Sequence, residues 1–213
     1  MTIPDKSPSG EASGPESSER PLDRYDLLLC VTGGIACYKS ADLASKLTRA
    51  GASVTAALTE NACRFVAPLT FQAVTRNRVF TDLWPDAGDH DSLHISLTER
   101  ADLMIIAPAT ANVLGKIACG IADDLVTTMA MSAEGTCPIL VAPAMNTRMW
   151  NSQALQDNIK TLDARGVRFA GPNDGPLACG TTGPGRMSEP HEIVSAIISI
   201  LDQTAPKSDR TDC

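Results

Sequence analysis

Several short polar stretches in this chain follow apolar runs, and their side chains are of the kinds that bind ligands or move protons. The first is Pro143-Ala144-Met145-Asn146, reached directly from the apolar run 137–142. In an open α/β sheet, ligands sit just beyond the carboxyl ends of the strands. An asparagine there offers one acceptor and two donors on a rigid mount. Thr32-Gly33-Gly34-Ile35-Ala36 follows the run 25–31, and Pro108-Ala109-Thr110-Ala111-Asn112 follows the run 103–107. A histidine stands in His94-Ile95-Ser96-Leu97, and a thiol in Leu177-Ala178-Cys179-Gly180. Amide, hydroxyl, imidazole and thiol together could hold a polar ligand and carry out acid, base or thiol chemistry on it.

Each stretch also has a plainer reading. The Thr32–Ala36 stretch has small residues that let backbone approach a ligand, with a helix start offering free N–H groups to a phosphate. It lacks the G-x-G-x-x-G fingerprint and the Walker A pattern, so a mononucleotide fits better than a dinucleotide, and a simple tight turn fits equally well. Thr59, Thr110 and Asn112 could touch the same ligand or cap the helices that follow them. Asp123 and Asp124 open a helix, where the dipole alone accounts for two acids. Of the three histidines, His90 lies in an acidic loop and His191 begins the last helix. His94 is set apart by its place before a buried strand and by the scarcity of other bases. Cys179 is embedded in a Gly/Pro-rich loop, 171–187, with one guanidinium, Arg186. Long loops in compact domains are often functional lids, and Arg186 could clamp a phosphate or carboxylate, or simply hold the loop.

The elements that would position these groups alternate along the chain. Strands are expected at 25–31, 52–58, 78–83, 103–107, 138–142 and 167–170. Helices are expected at 35–50, 61–73 (broken or begun near Pro68), 111–119, 123–131, 148–165 and 190–201, with a helical turn at the end of 89–100. Alternation of this kind means a parallel sheet with right-handed crossovers, and uninterrupted apolar strands mean a sheet covered on both faces. The residues before 25 are rich in Ser, Pro, Glu and Gly and read as a disordered polar leader; 25–202 form a single domain, and 203–213 a polar tail.

Composition narrows the function. The chain has 213 residues, a net charge of −7 and a pI near 4.9. No dense Lys/Arg patch marks a nucleic-acid partner. No run approaches the roughly 20 apolar residues of a membrane span, and no basic start with an apolar stretch marks a signal peptide. Seven cysteines at irregular spacing, without C-x-x-C or zinc spacing, predict no metal site and a reducing cytoplasm. Cys30, Cys37, Cys119 and Cys137 lie in or beside apolar stretches, as small buried hydrophobes do.

Three segments taken in order carry a resemblance: His94-Ile95-Ser96-Leu97, Pro143-Ala144-Met145-Asn146 with Met149-Trp150, and Ala178-Cys179-Gly180 with Gly183-Pro184-Gly185-Arg186-Met187. With them the chain, from Asp26 to Leu201, resembles the flavin-containing cysteine decarboxylases. Among these it is most similar to the branch acting on phosphopantothenoylcysteine in coenzyme A synthesis. The resemblance implies a flavodoxin-like or Rossmann-like three-layer fold that assembles as trimers or multiples of them. It implies FMN bound by Gly33, Gly34, Ile35, Thr59, Thr110, Ala111, Asn112, Val113 and Ala144. It implies His94 as the catalytic base reaching in from a neighbouring subunit, and Asn146 holding the substrate carboxylate. Cys179 would be the proton donor on a flap, with Pro176, Leu177, Ala178 and Arg186 also at the substrate. Many bacterial relatives carry a fused synthetase that joins cysteine to phosphopantothenate; here a separate phosphopantothenate–cysteine ligase is expected.

Two other readings share these residues. A peptidyl-cysteine decarboxylase of a peptide-maturation pathway would use the same flavin and thiol oxidation, with a flap admitting a peptide C-terminus. A non-catalytic flavin-binding regulatory protein would be expected to lack one of His94, Asn146 and Cys179, and all three are present.

Overall fold

A computed structural model describes residues 20–84, 92–202 and 205–207. Six parallel strands lie in the order β3-β2-β1-β4-β5-β6. They are β1 (Asp26–Val31), β2 (Ser53–Leu58), β3 (Val79–Phe80), β4 (Leu103–Ala109), β5 (Ile139–Pro143) and β6 (Arg168–Phe169). This is the doubly wound order, with its switch between β1 and β4, where the two halves of the sheet run outward in opposite directions.

Both faces of the sheet are covered, and the strand residues alternate between two cores. Leu27, Leu29, Val31, Leu103 and Ile105 pack beneath α1 (Cys37–Arg49), α3 (Pro68–Thr75) and α9 (Pro190–Leu201). Leu28, Cys30, Met104 and Ile106 face α5 (Ala111–Cys119), α6 (Leu125–Ser132) and α8 (Gln153–Ala164), with α4 (Leu93–Arg100) packed on α6. Because both faces are apolar, the period of two disappears from the sequence and leaves the continuous runs read above.

Three expected elements differ from the structure. The span 148–165 is two helices, α7 (Thr147–Trp150) and α8, because the Ser152 hydroxyl caps α8 by accepting from Leu155 N. The span 61–73 is α2 (Glu60–Cys63) followed by α3, which begins at Pro68. The stretch 171–187 is no plain loop: β7 (Asn173–Pro176) and β8 (Thr182–Arg186) pair antiparallel in a separate hairpin. Cys30, Cys37 and Cys137 are buried as expected; Cys119 is exposed, because it ends α5 just before Gly120 turns left-handed. His90 and the leader up to residue 19 lie outside the described residues.

Leu29 is fully buried at the middle of β1, flanked by Ala56 and Ile105. Leu29→Ala should cost about 2–5 kcal/mol by cavity formation, read as a lowered denaturant midpoint. The same change at Leu69, 70% exposed, should leave the midpoint nearly unmoved.

Candidate active site

The carboxyl ends of β1, β2, β4 and β5 open into one cavity of about 1060 Å³. It is walled by the loop after β1 (Gly33, Gly34, Ile35), the start of α2 (Thr59), the start of α5 (Thr110, Ala111, Asn112, Val113) and the loop after β5 (Ala144, Asn146). The hairpin closes the remaining side with Pro176, Leu177, Ala178, Cys179 and Arg186. Fifteen separate sequence expectations therefore meet on one surface.

The switch point is fastened by a buried hydroxyl. Thr32 Oγ1 donates to the Pro108 carbonyl at 2.6 Å and accepts from Thr110 N at 3.1 Å. The ends of β1 and β4 are thereby held at a fixed separation. Thr110 in turn caps α5, its hydroxyl accepting from Val113 N at 3.4 Å, and Thr59 caps α2 in the same way at 3.2 Å from Ala62 N. The two glycines after β1 serve different ends. A Cβ on Gly33 would stand 2.4 Å from Asn61 Cβ, so Gly33 is there for close packing. A Cβ on Gly34 would meet only the Thr110 methyl at 3.6 Å, so this backbone faces open space.

Asn146 follows β5 as the cap of α7, its Oδ1 accepting from Arg148 N at 2.7 Å. That bond fixes the amide plane and aims Nδ2 at Cys179 Sγ, 3.1 Å away. The hairpin is brought there by backbone: Met145 N donates to the Gly185 carbonyl at 2.9 Å. Gly185 has φ +125°, and a Cβ on it would lie 2.3 Å from the Met145 oxygen, so only a bare α-carbon permits this contact. At the exposed turn, Thr181 Oγ1 lies 3.1 Å from Cys179 Sγ. Donors from Thr181, side chain and backbone, and then from Asn146 hold the Cys179 thiol below the usual cysteine range. Burial acts the other way on Cys137, whose thiol is pushed up to about 11.

His94 is the one expected site residue outside this cavity. It begins α4, where its carbonyl accepts from Thr98 Oγ1 at 2.8 Å, and its side chain is half-buried. The structure also adds residues that the sequence reading left out. Lys116 of α5 lies at the cavity wall and donates to Asp123 at 2.7 Å and Asp124 at 3.3 Å. Asp124 stands at the start of α6, as expected, and there forms a capping box with Thr127; it belongs to the cavity too. Tyr38, Lys39 and Met149 also line the wall.

The cavity has room for a cofactor-sized molecule plus a second small molecule. It is at the upper end of the usual ligand-site range of roughly 300–1,000 Å³. Gly34 and Ile35 line the cavity just before the first turn of α1, where helix-start N–H groups can serve an anion; the Gly34 N–H is shared with the Cys37 sulfur.

The family description "Flavoprotein" matches residues 15–202. The coenzyme A biosynthesis bifunctional protein CoaBC of Bacillus subtilis is 50% identical over 173 residues, 81% of this chain and 42% of that protein. Its counterpart in Escherichia coli is 42% identical over 173 residues, again 81% and 42%. The chain thus spans less than half the length of these curated relatives. Among solved structures, a PPC decarboxylase mutant complexed with pantothenoylaminoethenethiol superposes with a TM-score of 0.76 at 36% identity, covering 84% of this chain and 99% of that one. The FMN binding protein AtHal3 gives 0.75 at 36% identity, with 85% and 99% covered.

The Cys179 environment has a direct test. Alkylation of the Cys179 peptide, followed by mass spectrometry against pH, should rise with a midpoint below that of an ordinary free thiol. Thr181→Val should move the midpoint upward, because it removes a donor to the thiolate. A wild-type midpoint at or above the free-thiol value would contradict the hydrogen-bonded geometry.

Proposed function

The chain belongs to the flavoprotein family, and from that premise we propose that it catalyses the FMN-dependent decarboxylation of 4'-phosphopantothenoylcysteine to 4'-phosphopantetheine in coenzyme A synthesis. The observation that carries this reading is the Asn146 amide 3.1 Å from the Cys179 thiol, on the rim of a cavity that continues to the Gly33–Ile35 loop before α1. The relatives named for coenzyme A biosynthesis, and the PPC decarboxylase likeness, support the substrate class. FMN would lie against Gly33, Gly34, Ile35, Thr59, Thr110, Ala111, Asn112, Val113 and Ala144.

When bound, FMN supplies reversible two-electron chemistry: oxidation of the substrate's thiol-bearing carbon to a thioaldehyde gives CO2 departure an electron sink, and the electron pair returns afterwards. The protein's own groups do the rest. Asn146 Nδ2 serves as a donor to the substrate carboxylate, and its capped Oδ1 keeps the amide from rotating away. Pro176, Leu177 and Ala178 cover the substrate and exclude water. Arg186 holds an anionic group of it. Cys179 delivers its proton to carbon after CO2 has left, and the donors from Thr181 and Asn146 that lower its thiol from the usual range ease that release. His94 takes up the proton of the reacting thiol. Its position off the cavity of its own chain is met by a homo-oligomer, a trimer or a multiple of trimers, in which a neighbouring subunit presents it. Such an enzyme would work in the cytoplasm, on the product of a phosphopantothenate–cysteine ligase. No helix among the described residues is long and apolar enough to cross a membrane.

Incubation of the FMN-loaded protein with phosphopantothenoylcysteine should release CO2 and yield phosphopantetheine; no release would overturn the proposal. Cys179→Ser should still release CO2 but accumulate a product lighter by two hydrogen atoms, the unreduced enethiol. Full turnover by that variant would remove Cys179 from proton delivery. His94→Asn should keep its flavin absorbance and lose CO2 release by several orders of magnitude, whereas unchanged activity would place the base elsewhere.

A further inference from the structure

Beside the main cavity lies a smaller one of about 440 Å³. The two share Tyr38, Lys39, Pro176 and Arg186, and Asp42, Glu189 and Pro190 complete the smaller. Lys39 Nζ donates to Glu189 Oε1 at 2.9 Å and to the Met187 carbonyl at 3.3 Å. Arg186 Nη2 donates to the same Glu189 oxygen. Two cations, one from α1 and one from the end of β8, thus meet on a single carboxylate oxygen at the start of α9. The Lys39 side chain is only 11% exposed, so its charge is held largely out of water.

The charges do not balance. Among the described residues lining this cavity, Asp42 is already taken by Lys46 at 2.8 Å, which leaves one carboxylate there for two cations; Glu192, just beyond, is engaged by Glu189 N and Asn173 Nδ2. An ammonium has three donors and a guanidinium five. Lys39 spends two on the chain, and among the described residues the Arg186 side chain hydrogen-bonds to Glu189 alone. The surplus of positive charge and of donors lies on a wall common to two cavities. The facing strand makes room for it. A Cβ on Gly175 would stand 3.0 Å from Arg186 Nη1 and 3.3 Å from Cδ, so the bare α-carbon lets the guanidinium lie across the hairpin.

We propose that Lys39 and Arg186, oriented by Glu189, form the subsite for a phosphate monoester at the end of the substrate remote from its reacting cysteine. This rests on the substrate reading given above and adds the place where its phosphate is held. A phosphate dianion brings the charge and the several acceptor oxygens that the pair lacks. The planar guanidinium can grip two of those oxygens in parallel, and the ammonium acts as a compact point charge. The arrangement also links recognition to the flap: Arg186 ends the strand that leads from the Cys179 turn, so a phosphate drawn to Arg186 steadies the hairpin that carries the proton donor. A peptide ending in cysteine offers no matching group, and the subsite would therefore select the phosphorylated arm.

The test is calorimetric binding of phosphopantetheine and of pantetheine to the FMN-loaded protein at one fixed ionic strength. The wild type should bind the phosphorylated compound at least about tenfold more tightly, the scale expected for hydrogen bonds to charged groups. Arg186→Gln and Lys39→Gln should each bring the ratio of the two affinities close to one, with flavin absorbance confirming the fold. Should Lys39→Gln fail to fold, Arg186→Gln alone decides. A wild-type ratio near one would overturn the proposal, as would variants that keep the wild-type ratio, even where both affinities fall together. Because binding is read without turnover, a failure to release CO2 counts against the decarboxylase reading and leaves this ratio to be judged separately.

Discussion

The site depends on one buried hydroxyl. Thr32, fully buried at the end of β1, donates to the carbonyl of Pro108 and accepts from the amide of Thr110. A parallel sheet that is wound both ways must part at the switch point, and its two central strands lead their chains to opposite faces. Left unfastened, the loops after β1 and β4 would be free to drift, since neither is held by a ladder beyond its strand. The Thr32 bonds set their spacing with two short contacts in a dry environment, where a hydrogen bond is worth more than at the surface. The loop after β1 and the start of α5, two walls of the cavity, take their spacing from that link.

The other half of the site is attached, not built in. The β7–β8 hairpin has no place in the main sheet, and it meets the loop after β5 through the Met145–Gly185 backbone bond and the close approach that Gly185 allows. Its second hold is electrostatic, through Arg186 and Lys39 on Glu189. A flap fixed at two points and exposed at its tip can present Cys179 to Asn146 and still yield to an arriving substrate. Segments with few buried contacts open at low cost. Beneath the hairpin, Gly183 packs against the Thr147 side chain, whose buried hydroxyl finds no hydrogen-bond partner among the described residues.

Much of this was legible in the residues. The apolar runs of β1, β4 and β5 are long and uncharged, and the polar groups that follow them fall where such sheets bind ligands. Pro143-Ala144-Met145-Asn146 and Ala178-Cys179-Gly180 are therefore legible as site segments from residue type and position alone. The hairpin is not, because Gly175, Pro176, Gly183, Pro184 and Gly185 are turn formers, and their strand geometry is imposed by docking. Glycines 175, 183 and 185 take φ of +155°, +156° and +125°, which local propensity does not forecast. The Lys116–Asp123 and Lys39–Glu189 pairs were hidden for a different reason. They join elements whose meeting is decided by packing, at separations of 7 and 150 residues. The position of His94 outside its own cavity is a property of where α4 packs, which no local pattern reports.

The central claim is that the cavity beyond β1, β4 and β5 is shaped for a flavin mononucleotide, without which a cysteine carboxylate has no electron sink. Titration of the apoprotein with FMN, followed by quenching of flavin fluorescence, tests it most directly. Saturation at one flavin per chain, with a yellow protein after gel filtration, is the predicted result. A protein that leaves FMN fluorescence unchanged and elutes colourless would contradict the account.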